Sequence, residues 1–203
     1  MVYHIAKRSL DVVIASFGLI VASPIMAIVA LLVRWKMGSP VIFRHPRPGL
    51  REKTFGCLKF RTMIPEKDAA GNKLSPVQRV TPLGKVLRRT SLDELPQLWS
   101  VLVGDMSLVG PRPLELHYLP RYTSEQRRRH LAKPGITGWA QIHGRNRLDW
   151  QSRLALDVWY VDHRSLSLDL SILITTFWTV ACGSGVAQIG DEPEFRGVLD
   201  LRD

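Results

Sequence analysis

Two adjacent carboxylates, Asp93 and Glu94, lie in the segment TSLDELPQL. Side chains of this type can act as nucleophiles, move protons or bind a metal ion. A simpler explanation is helix capping, because Ser91 followed by Glu94 is the pattern of a capping box. However, proline is best accommodated at the start of a helix, so Pro96 favours a helix that begins nearer Leu95. Both carboxylates would then lie on the turn before that helix.

The composition indicates a basic protein with polyanionic partners. Its 203 residues include 28 Lys and Arg against 18 Asp and Glu, a formal net charge of +10. This excess suggests phosphates, acidic lipid or nucleic acid as partners, and the length suits one domain or one domain plus an appendage. The cysteines, Cys57 and Cys182, form no CxxC motif. They favour a reduced compartment and argue against a disulfide framework or a zinc ribbon.

A long apolar segment near the start of the chain predicts contact with a membrane. Residues 12–33 carry no charge and, as a helix, would be long enough to cross a hydrocarbon layer of about 30 Å. Ser23 and Pro24 interrupt the segment at its middle, where proline removes a helical hydrogen bond and serine can satisfy the freed carbonyl. Basic residues flank the segment on both sides: Lys7, Arg8, Arg34 and Lys36.

Basic flanks at both ends favour a re-entrant helix. A spanning helix keeps its positive flank on one side, so we predict that both ends stay at the cytoplasmic face and that the helix bends at Ser23-Pro24. A kinked helix that spans once is the alternative. A signal peptide is disfavoured because the apolar run continues past any small-residue cleavage site. The predicted organisation is a re-entrant membrane helix over residues 1–36 and a membrane-associated domain over residues 37–203.

The remaining sequence predicts an α+β fold that is mostly helical, with a small β-hairpin or sheet and interfacial amphipathic helices. The first predicted elements are two strands within 39–63 around a turn at 46–49, a mobile polar loop over 65–80, and a helix from about Leu95 to Gly104. A rigid turn at 110–115 then presents Arg112, and a helix within 121–130 is capped at Thr123 or Ser124. The last predicted elements are a glycine-rich loop at 133–146, a helix over 148–160, and an interfacial or core helix over 170–182.

Four segments resemble the motifs of a known family: KFRTM, LRRTSLDELPQLWSVLVGDMSLVGPRP, KPGITGWAQIHGRN and DVWYVDHRSLSLDL. Together they resemble the bacterial sugar transferases, or monotopic phosphoglycosyl transferases, along nearly the whole chain. The resemblance implies transfer of a sugar 1-phosphate from a UDP-sugar to undecaprenyl phosphate, with Mg²⁺ present and UMP released. It implies that Asp93 and Glu94 are catalytic, that a covalent phosphosugar forms on Asp93, and that both residues bind the metal.

The same resemblance implies a cellular location and a set of substrate contacts. The location is the cytoplasmic face of the bacterial inner membrane, at the first membrane step of glycoconjugate assembly. Resemblance and charge together predict that the basic residues of the motifs contact phosphate and nucleotide. The alternative for each is solvated surface charge. The predicted contacts are Lys59, Arg61, Arg88, Arg112 and Arg145.

Other basic residues receive different interpretations. The run Arg127–Arg129 lies outside the motifs and is predicted to be a solvated or lipid-facing patch that can hold anionic headgroups. His45 stands where many relatives of this family carry glutamine, so it is assigned no role. The six histidines show no metal-ligand spacing, and His117, His143 and His163 are interpreted as structural.

A segment near the end of the sequence carries a further resemblance. The segment GVAQIGDEPEFRG resembles the tail of members that transfer N-acetylated amino sugars, including the bacillosamine-type enzyme of bacterial N-glycosylation. With no multi-span region before Lys7, the chain resembles the small members of the family.

A membrane-tethered nucleic-acid binder is the rival function, but no RRM, KH, zinc-finger or helix-turn-helix signature supports it. Retention of Asp93 and Glu94 argues against an inactive scaffold. The sequence leaves the sugar open, and also whether the chain forms a homodimer.

Overall fold

The protein is described here from a computed structural model, which covers residues 2–66, 71–144, 148–181, 195 and 197. The fold is α+β and mostly helical, as predicted. The helices and strands are α1 (Val2–Met37), β1 (Ile42–Pro48), β2 (Thr54–Phe60), α2 (Pro76–Arg79), α3 (Pro82–Arg89), α4 (Gln97–Val103), β3 (Ser107–Val109), α5 (Ser124–Arg127), β4 (Gly135–Thr137), α6 (Trp139–Ile142), α7 (Trp150–His163) and α8 (Leu166–Ala181).

Helix α1 is a single 36-residue helix that contains Pro24. Its length and composition would allow it to cross a membrane. Proline at position 24 cannot donate to the carbonyl of Ile20, four residues earlier. The hydroxyl of Ser23 donates to this carbonyl at 2.8 Å instead, which confirms the predicted compensation and keeps the helix continuous.

Both halves of α1 pack on the rest of the protein. In the first half, Ala15 is fully buried in the main core, which also contains Val101 of α4. In the second half, Val33 packs in a separate cluster with Phe60 of β2 and Leu87 of α3. The opposite side of α1 remains exposed and apolar, with exposed residues that include Phe17, Ile20, Ile28, Leu31 and Trp35.

Strands β1 and β2 form an antiparallel hairpin. Its turn lies after Pro48, at residues 49–53, so the predicted position at 46–49 is wrong. Proline is tolerated within β1 because each strand of a two-stranded sheet has one unpaired edge. The register pairs Phe43 with Lys59 and His45 with Cys57. These side chains therefore share one face of the hairpin.

A second, parallel pair joins β3 to β4, with Ser107 opposite Gly135. The sequence predicted only a glycine-rich loop at 133–146, but this segment contains both β4 and α6. Glycine is required for the close approach, because a Cβ on Gly135 would lie 2.1 Å from the nitrogen of Gly110. A strand of three residues is too short to show alternation, which is why the pattern did not reveal it.

Most of the predicted helices are present. Helix α7 spans Trp150–His163 and α8 spans Leu166–Ala181. Thr123 caps α5 by accepting a hydrogen bond from the nitrogen of Gln126, as predicted. The predicted polar loop at 65–80 contains α2 and, at 67–70, lies outside the described residues, so its mobility remains a prediction.

Candidate active site

The segment that carries the two carboxylates is a 3₁₀ turn at Leu92–Glu94, and α4 begins only after Pro96. The alternative of a capping box is wrong, because Ser91 has φ 57° and its side chain makes no capping hydrogen bond. Gly104 ends α4 near the predicted position, with φ 94° and its N–H directed to Ser100 and Val101 carbonyls. The sequence therefore predicted the location of the acidic turn correctly.

The carboxylate of Glu94 is held by two cations from different elements. Its Oε1 accepts hydrogen bonds from Lys59 Nζ at 2.6 Å and from Arg112 Nη2 at 2.8 Å. Lys59 belongs to β2, and Arg112 lies in the turn that follows β3. Burial alone would raise the pKa of Glu94, but the charges of Arg112 and Lys59 outweigh it and hold that pKa well below its usual range.

The neighbouring carboxylate of Asp93 has no such partner. The residue is only 6% exposed, and its side chain makes no hydrogen bond or ion pair with any other residue that the structure describes. Burial, together with the charge of Glu94, raises the pKa of Asp93 against the opposing charges of Lys59 and Arg88. Asp93 thus interacts by charge with Lys59, Arg88 and Arg112 but makes no hydrogen bond or ion pair with any of these three.

The structure separates the other predicted substrate contacts. Arg88 of α3 lies close enough to Asp93 for their charges to interact, and its Nε donates to Thr62 Oγ1 at 3.0 Å. Arg61 lies elsewhere: its guanidinium donates to the carbonyl oxygens of Met37, Gly38 and Ser39.

These carbonyl contacts show where Arg61 acts in the structure. Carbonyls in the last turn of a helix have no intrahelical partner. Arg61 therefore caps the end of α1, and its role as a substrate contact remains a prediction. Arg145 lies outside the described residues.

The predicted basic patch at Arg127–Arg129 is wrong for Arg129. Its guanidinium is buried, donates to Asp157 Oδ2 at 2.6 and 3.1 Å, and donates to the backbone carbonyl oxygen of Arg112 at 2.7 Å. Burial would lower the pKa of Arg129, but Asp157 outweighs it and raises that pKa. Asp157 and Arg129 therefore hold the turn that presents Arg112 to Glu94.

The other two arginines of this run lie at the surface but are also paired. Arg127 donates to Glu52 at 2.8 Å, and Arg128 pairs with Glu125 and Asp162. Much of their charge is therefore balanced within the protein. The motif DVWYVDH, which contains Asp157, was the only sequence signal that could have indicated a partner for this run.

Comparison with known proteins identifies the family. The sequence profile described as bacterial sugar transferase matches residues 2–183. The chain belongs to the bacterial sugar transferase family. The transferase is 52% identical over 184 residues to a Bacillus subtilis protein named uncharacterized sugar transferase EpsL, with 91% of each chain covered. The match confirms the predicted family and the enzyme class, a phosphoglycosyl transferase.

Two other relatives carry more specific names. One is the undecaprenyl-phosphate galactose phosphotransferase of Salmonella typhimurium, which is 41% identical; the match covers 84% of the transferase and 39% of the relative. The other is the UDP-N-acetylgalactosamine-undecaprenyl-phosphate N-acetylgalactosaminephosphotransferase of Aeromonas hydrophila, at 35% identity; 91% of the transferase and 45% of the relative are covered. The transferase thus spans most of EpsL and less than half of these two longer relatives.

The acidic pair of the transferase fits a metal ion that takes part of its ligands from substrate. Among the residues that the structure covers, no group of three or more His, Cys, Asp or Glu could hold a metal. Mg²⁺, however, is usually bound by one or two carboxylates plus substrate phosphates. Asp93 has no ion-pair partner among the described residues, and Glu94 Oε2 has only a 3.5 Å contact with Arg112 Nη1. Each acid therefore retains an oxygen that could reach such an ion.

Three of the transferase's histidines were predicted to be structural, and two of them make backbone contacts. Nδ1 of His143 lies 2.9 Å from the carbonyl oxygen of Trp139. Nδ1 of His163 lies 2.9 Å from the carbonyl oxygen of Trp159. Each pair is four residues apart, so these contacts are local to α7 or to the turn after α6.

Proposed function

We propose that the transferase moves a sugar 1-phosphate from a UDP-sugar to undecaprenyl phosphate and releases UMP, at the first membrane step of glycoconjugate assembly. The names of the Salmonella and Aeromonas relatives include undecaprenyl phosphate as acceptor. The observation that carries the proposal is the difference between the two adjacent acids. Glu94 is fixed by Lys59 and Arg112, whereas Asp93 is free to react.

Asp93 attacks the phosphorus that carries the sugar. A bond forms between a carboxylate oxygen and this phosphorus, and the bond to the bridging oxygen breaks, so UMP leaves with the electron pair. An oxygen of undecaprenyl phosphate then attacks the same phosphorus. The bond to Asp93 breaks, the carboxylate is regenerated, and the sugar remains on a polyprenyl diphosphate.

The cations around the acids stabilise the charge that develops in both steps. In the Asp93–Glu94 dyad, Lys59 and Arg112 bind Glu94. Arg88 of α3 interacts by charge with Asp93. Preorganised cations of this kind need little rearrangement during the reaction. Mg²⁺, held by Asp93, Glu94 and substrate phosphate, would neutralise further charge on the diphosphate when bound.

We propose an N-acetylated amino sugar as the transferred group. The support is the resemblance of the segment GVAQIGDEPEFRG to the tail of transferases for such sugars. Of this segment, the structure describes only Phe195 and Gly197. The side chain of Phe195 is buried against Tyr118, Tyr122 and Trp150. The relatives' names include both galactose and N-acetylgalactosamine, so a panel of donors is needed to decide.

We also propose that α1 is re-entrant and that the catalytic domain faces the cytoplasm, where UDP-sugars are made. The support is that both halves of α1 pack on one domain, through Ala15 and through Val33. A spanning helix would carry one of these halves to the far side of the membrane. The contacts of that half with the domain would then be lost.

The half-reaction without lipid tests the proposed chemistry. Enzyme, UDP-sugar and labelled UMP should exchange label into the donor, because the first displacement needs no acceptor. Asp93→Asn should abolish exchange, since an amide is a poor nucleophile. Glu94→Gln should slow it, and Arg127→Gln at the surface should leave it unchanged. Mass spectrometry should find the labelled sugar phosphate on Asp93.

Two results would count against this chemistry. If exchange strictly requires undecaprenyl phosphate, or if Asp93→Asn turns over well, the transfer is direct and proceeds through a ternary complex. Release of UMP from a panel of UDP-sugars, measured with undecaprenyl phosphate present, then identifies the sugar. A preference for galactose over N-acetylated amino sugars would contradict the assignment made from the tail.

A further inference from the structure

A second group of charged side chains lies beside the dyad and has no part in the chemistry described above. Glu115 accepts a hydrogen bond from Arg47 Nη2 at 2.6 Å, and its other oxygen lies 3.1 Å from His45 Nε2. In the hairpin register, His45 and Arg47 lie on the same face as Lys59. Glu115 follows Arg112 by three residues, so the two acid–base groups share both the hairpin and this turn.

The two groups are electrostatically connected through their arginines. Arg47 is close enough to Arg112 for the charge of one to act on the other, and the side chain of Arg47 is only 17% exposed. Lys59 and Arg112 pair with Glu94, and Arg47 pairs with Glu115. Arg88 interacts by charge with Asp93. Guanidinium groups held close together away from water are stabilised by an anion.

The stereochemistry of two successive displacements requires a binding position for a second phosphate, next to the phosphorus that carries the sugar. Displacement at phosphorus is in line, so UMP leaves on the side opposite Asp93. The second displacement breaks the bond to Asp93, and its nucleophile must therefore enter on the side opposite Asp93 as well. The phosphate of undecaprenyl phosphate consequently occupies the place that the phosphate of UMP has just left.

We infer that Arg47, with His45 beside it, forms this shared subsite for a phosphate monoester. The inference rests on the proposed function. Glu115 is the carboxylate paired with Arg47, just as Glu94 is paired with Arg112. An incoming phosphate displaces the carboxylate of Glu115 and binds the guanidinium of Arg47 through two hydrogen bonds. The same side chains bind the phosphate of UMP in the first half-reaction and the lipid phosphate in the second.

Two substitutions with opposite expected effects test the subsite. Arg47→Gln should raise both the KM for UMP in lipid-free exchange and the KM for undecaprenyl phosphate in full turnover, each by about tenfold, because a charge-assisted contact is lost. Glu115→Gln should lower both KM values, because the competing carboxylate is gone. Arg127→Gln is the matched control, since Arg127 also pairs with a glutamate, Glu52, but at the surface. It should change neither value.

The outcomes separate this inference from the proposed function. If the unmodified enzyme shows no exchange, the proposed function fails; if it exchanges and Arg47→Gln alters neither KM or only one, the shared subsite is wrong. Should Arg47→Gln not fold, Glu115→Gln decides alone. Unchanged or raised KM values in Glu115→Gln would show that the Glu115–Arg47 pair is a structural contact, whereas lowered values for both ligands support the subsite.

Discussion

At the scale of single residues, the dyad places two chemically similar side chains in opposite electrostatic settings. Glu94 is stabilised as an anion by Lys59 and Arg112, whereas Asp93 is buried and has no hydrogen-bonding partner in the part of the chain that the structure describes. A buried carboxylate that lacks a partner costs stability. Such a cost is common where a side chain must remain free to react.

This difference predicts opposite effects of neutralising each acid. Burial raises the pKa of Asp93. The loss of folding stability caused by its buried charge therefore grows as pH rises from the unfolded-state pKa through the folded-state pKa, and is complete above both. Asp93→Asn should therefore stabilise the protein at neutral pH, by about 1 kcal/mol. Thermal unfolding in detergent measures the change, and a lower Tm than that of the unmodified protein would contradict it.

Glu94 should respond in the other direction. The pKa of Glu94 is lowered. The folding stability that ionised Glu94 contributes is therefore fully present above its unfolded-state pKa and is lost as pH falls through its folded-state pKa. Glu94→Gln leaves Lys59 and Arg112 unpaired and should destabilise the protein at neutral pH by about 1–3 kcal/mol. The same unfolding measurement, repeated towards acid pH, should show the difference from the unmodified protein shrinking.

A second prediction concerns Arg129, which reaches the active site only through Arg112. Arg129→Lys should reduce kcat/KM by about tenfold, because lysine cannot contact Asp157 and the Arg112 carbonyl with a planar fork. In an Arg112→Ala background the same change should cost no more than about twofold, since the side chain that it positions is absent. Measurement of UMP exchange in all four proteins checks this.

Additive losses in this cycle would show that Arg129 supports the fold in general rather than the position of Arg112. Arg127→Lys is the matched control, since Arg127 belongs to the same run and pairs with Glu52 at the surface. It should change exchange little in either background.

At the scale of elements, local patterns were predicted well and long-range contacts were not. The acidic turn before α4, the end of α4 at Gly104 and the Ser23 hydroxyl beside Pro24 each depend on residues within a few positions of one another. Capping and proline rules describe such short segments directly. These features could therefore be predicted from the sequence.

The features that were missed join distant parts of the chain. The partner of Arg129 is 28 residues away, and Arg61 reaches carbonyls 22 to 24 residues earlier. The pair β3–β4 has strands of three residues, too short for a periodic signal. A basic residue shows its charge in the sequence but not its partner. Surface and buried arginines in one run therefore look alike.

A third prediction belongs to the packing of α1 on α4. Arg8 donates to the carbonyl oxygens of Val101 and Leu102, at 2.6 and 2.7 Å, in the last turn of α4. Arg8→Ala leaves these acceptors without that partner and should lower stability by about 1–3 kcal/mol. Arg34→Ala, at an exposed position in the last turn of the same helix, should change it by less than about 0.5 kcal/mol.

Thermal unfolding of both variants in the same detergent is the measurement. Equal changes would mean that the contact of Arg8 with α4 contributes nothing beyond surface charge. Loss of activity in Arg8→Ala with unchanged stability would instead place the role of Arg8 in the position of α4, and hence of the acidic turn before it.

At the scale of the whole molecule, the exposed apolar surface supports the proposed contact with a membrane. The most exposed aromatic side chains lie on α1, α4 and α8: Phe17 at 67%, Trp35 at 75%, Trp99 at 54%, Phe177 at 70% and Trp178 at 63%. Exposed apolar surface of this extent is unusual for a protein surrounded by water. Tryptophan in particular is common at the interface between lipid and water.

The last prediction concerns the topology of α1. In a protein that lacks Cys57 and Cys182, single cysteines at His4 and at Lys36 should both be shielded from a membrane-impermeant thiol reagent in intact cells, and both should react after permeabilisation. The physical reason is that the two halves of α1 pack on one domain, through Ala15 and Val33, and a folded domain cannot lie on both sides of a bilayer. A cysteine at Ile25, next to Pro24, should stay unreactive in both conditions if the middle of the helix lies in lipid. Labelling of one end alone in intact cells would show that α1 spans the membrane, and the packing of one half of α1 would then have to be lost in the membrane.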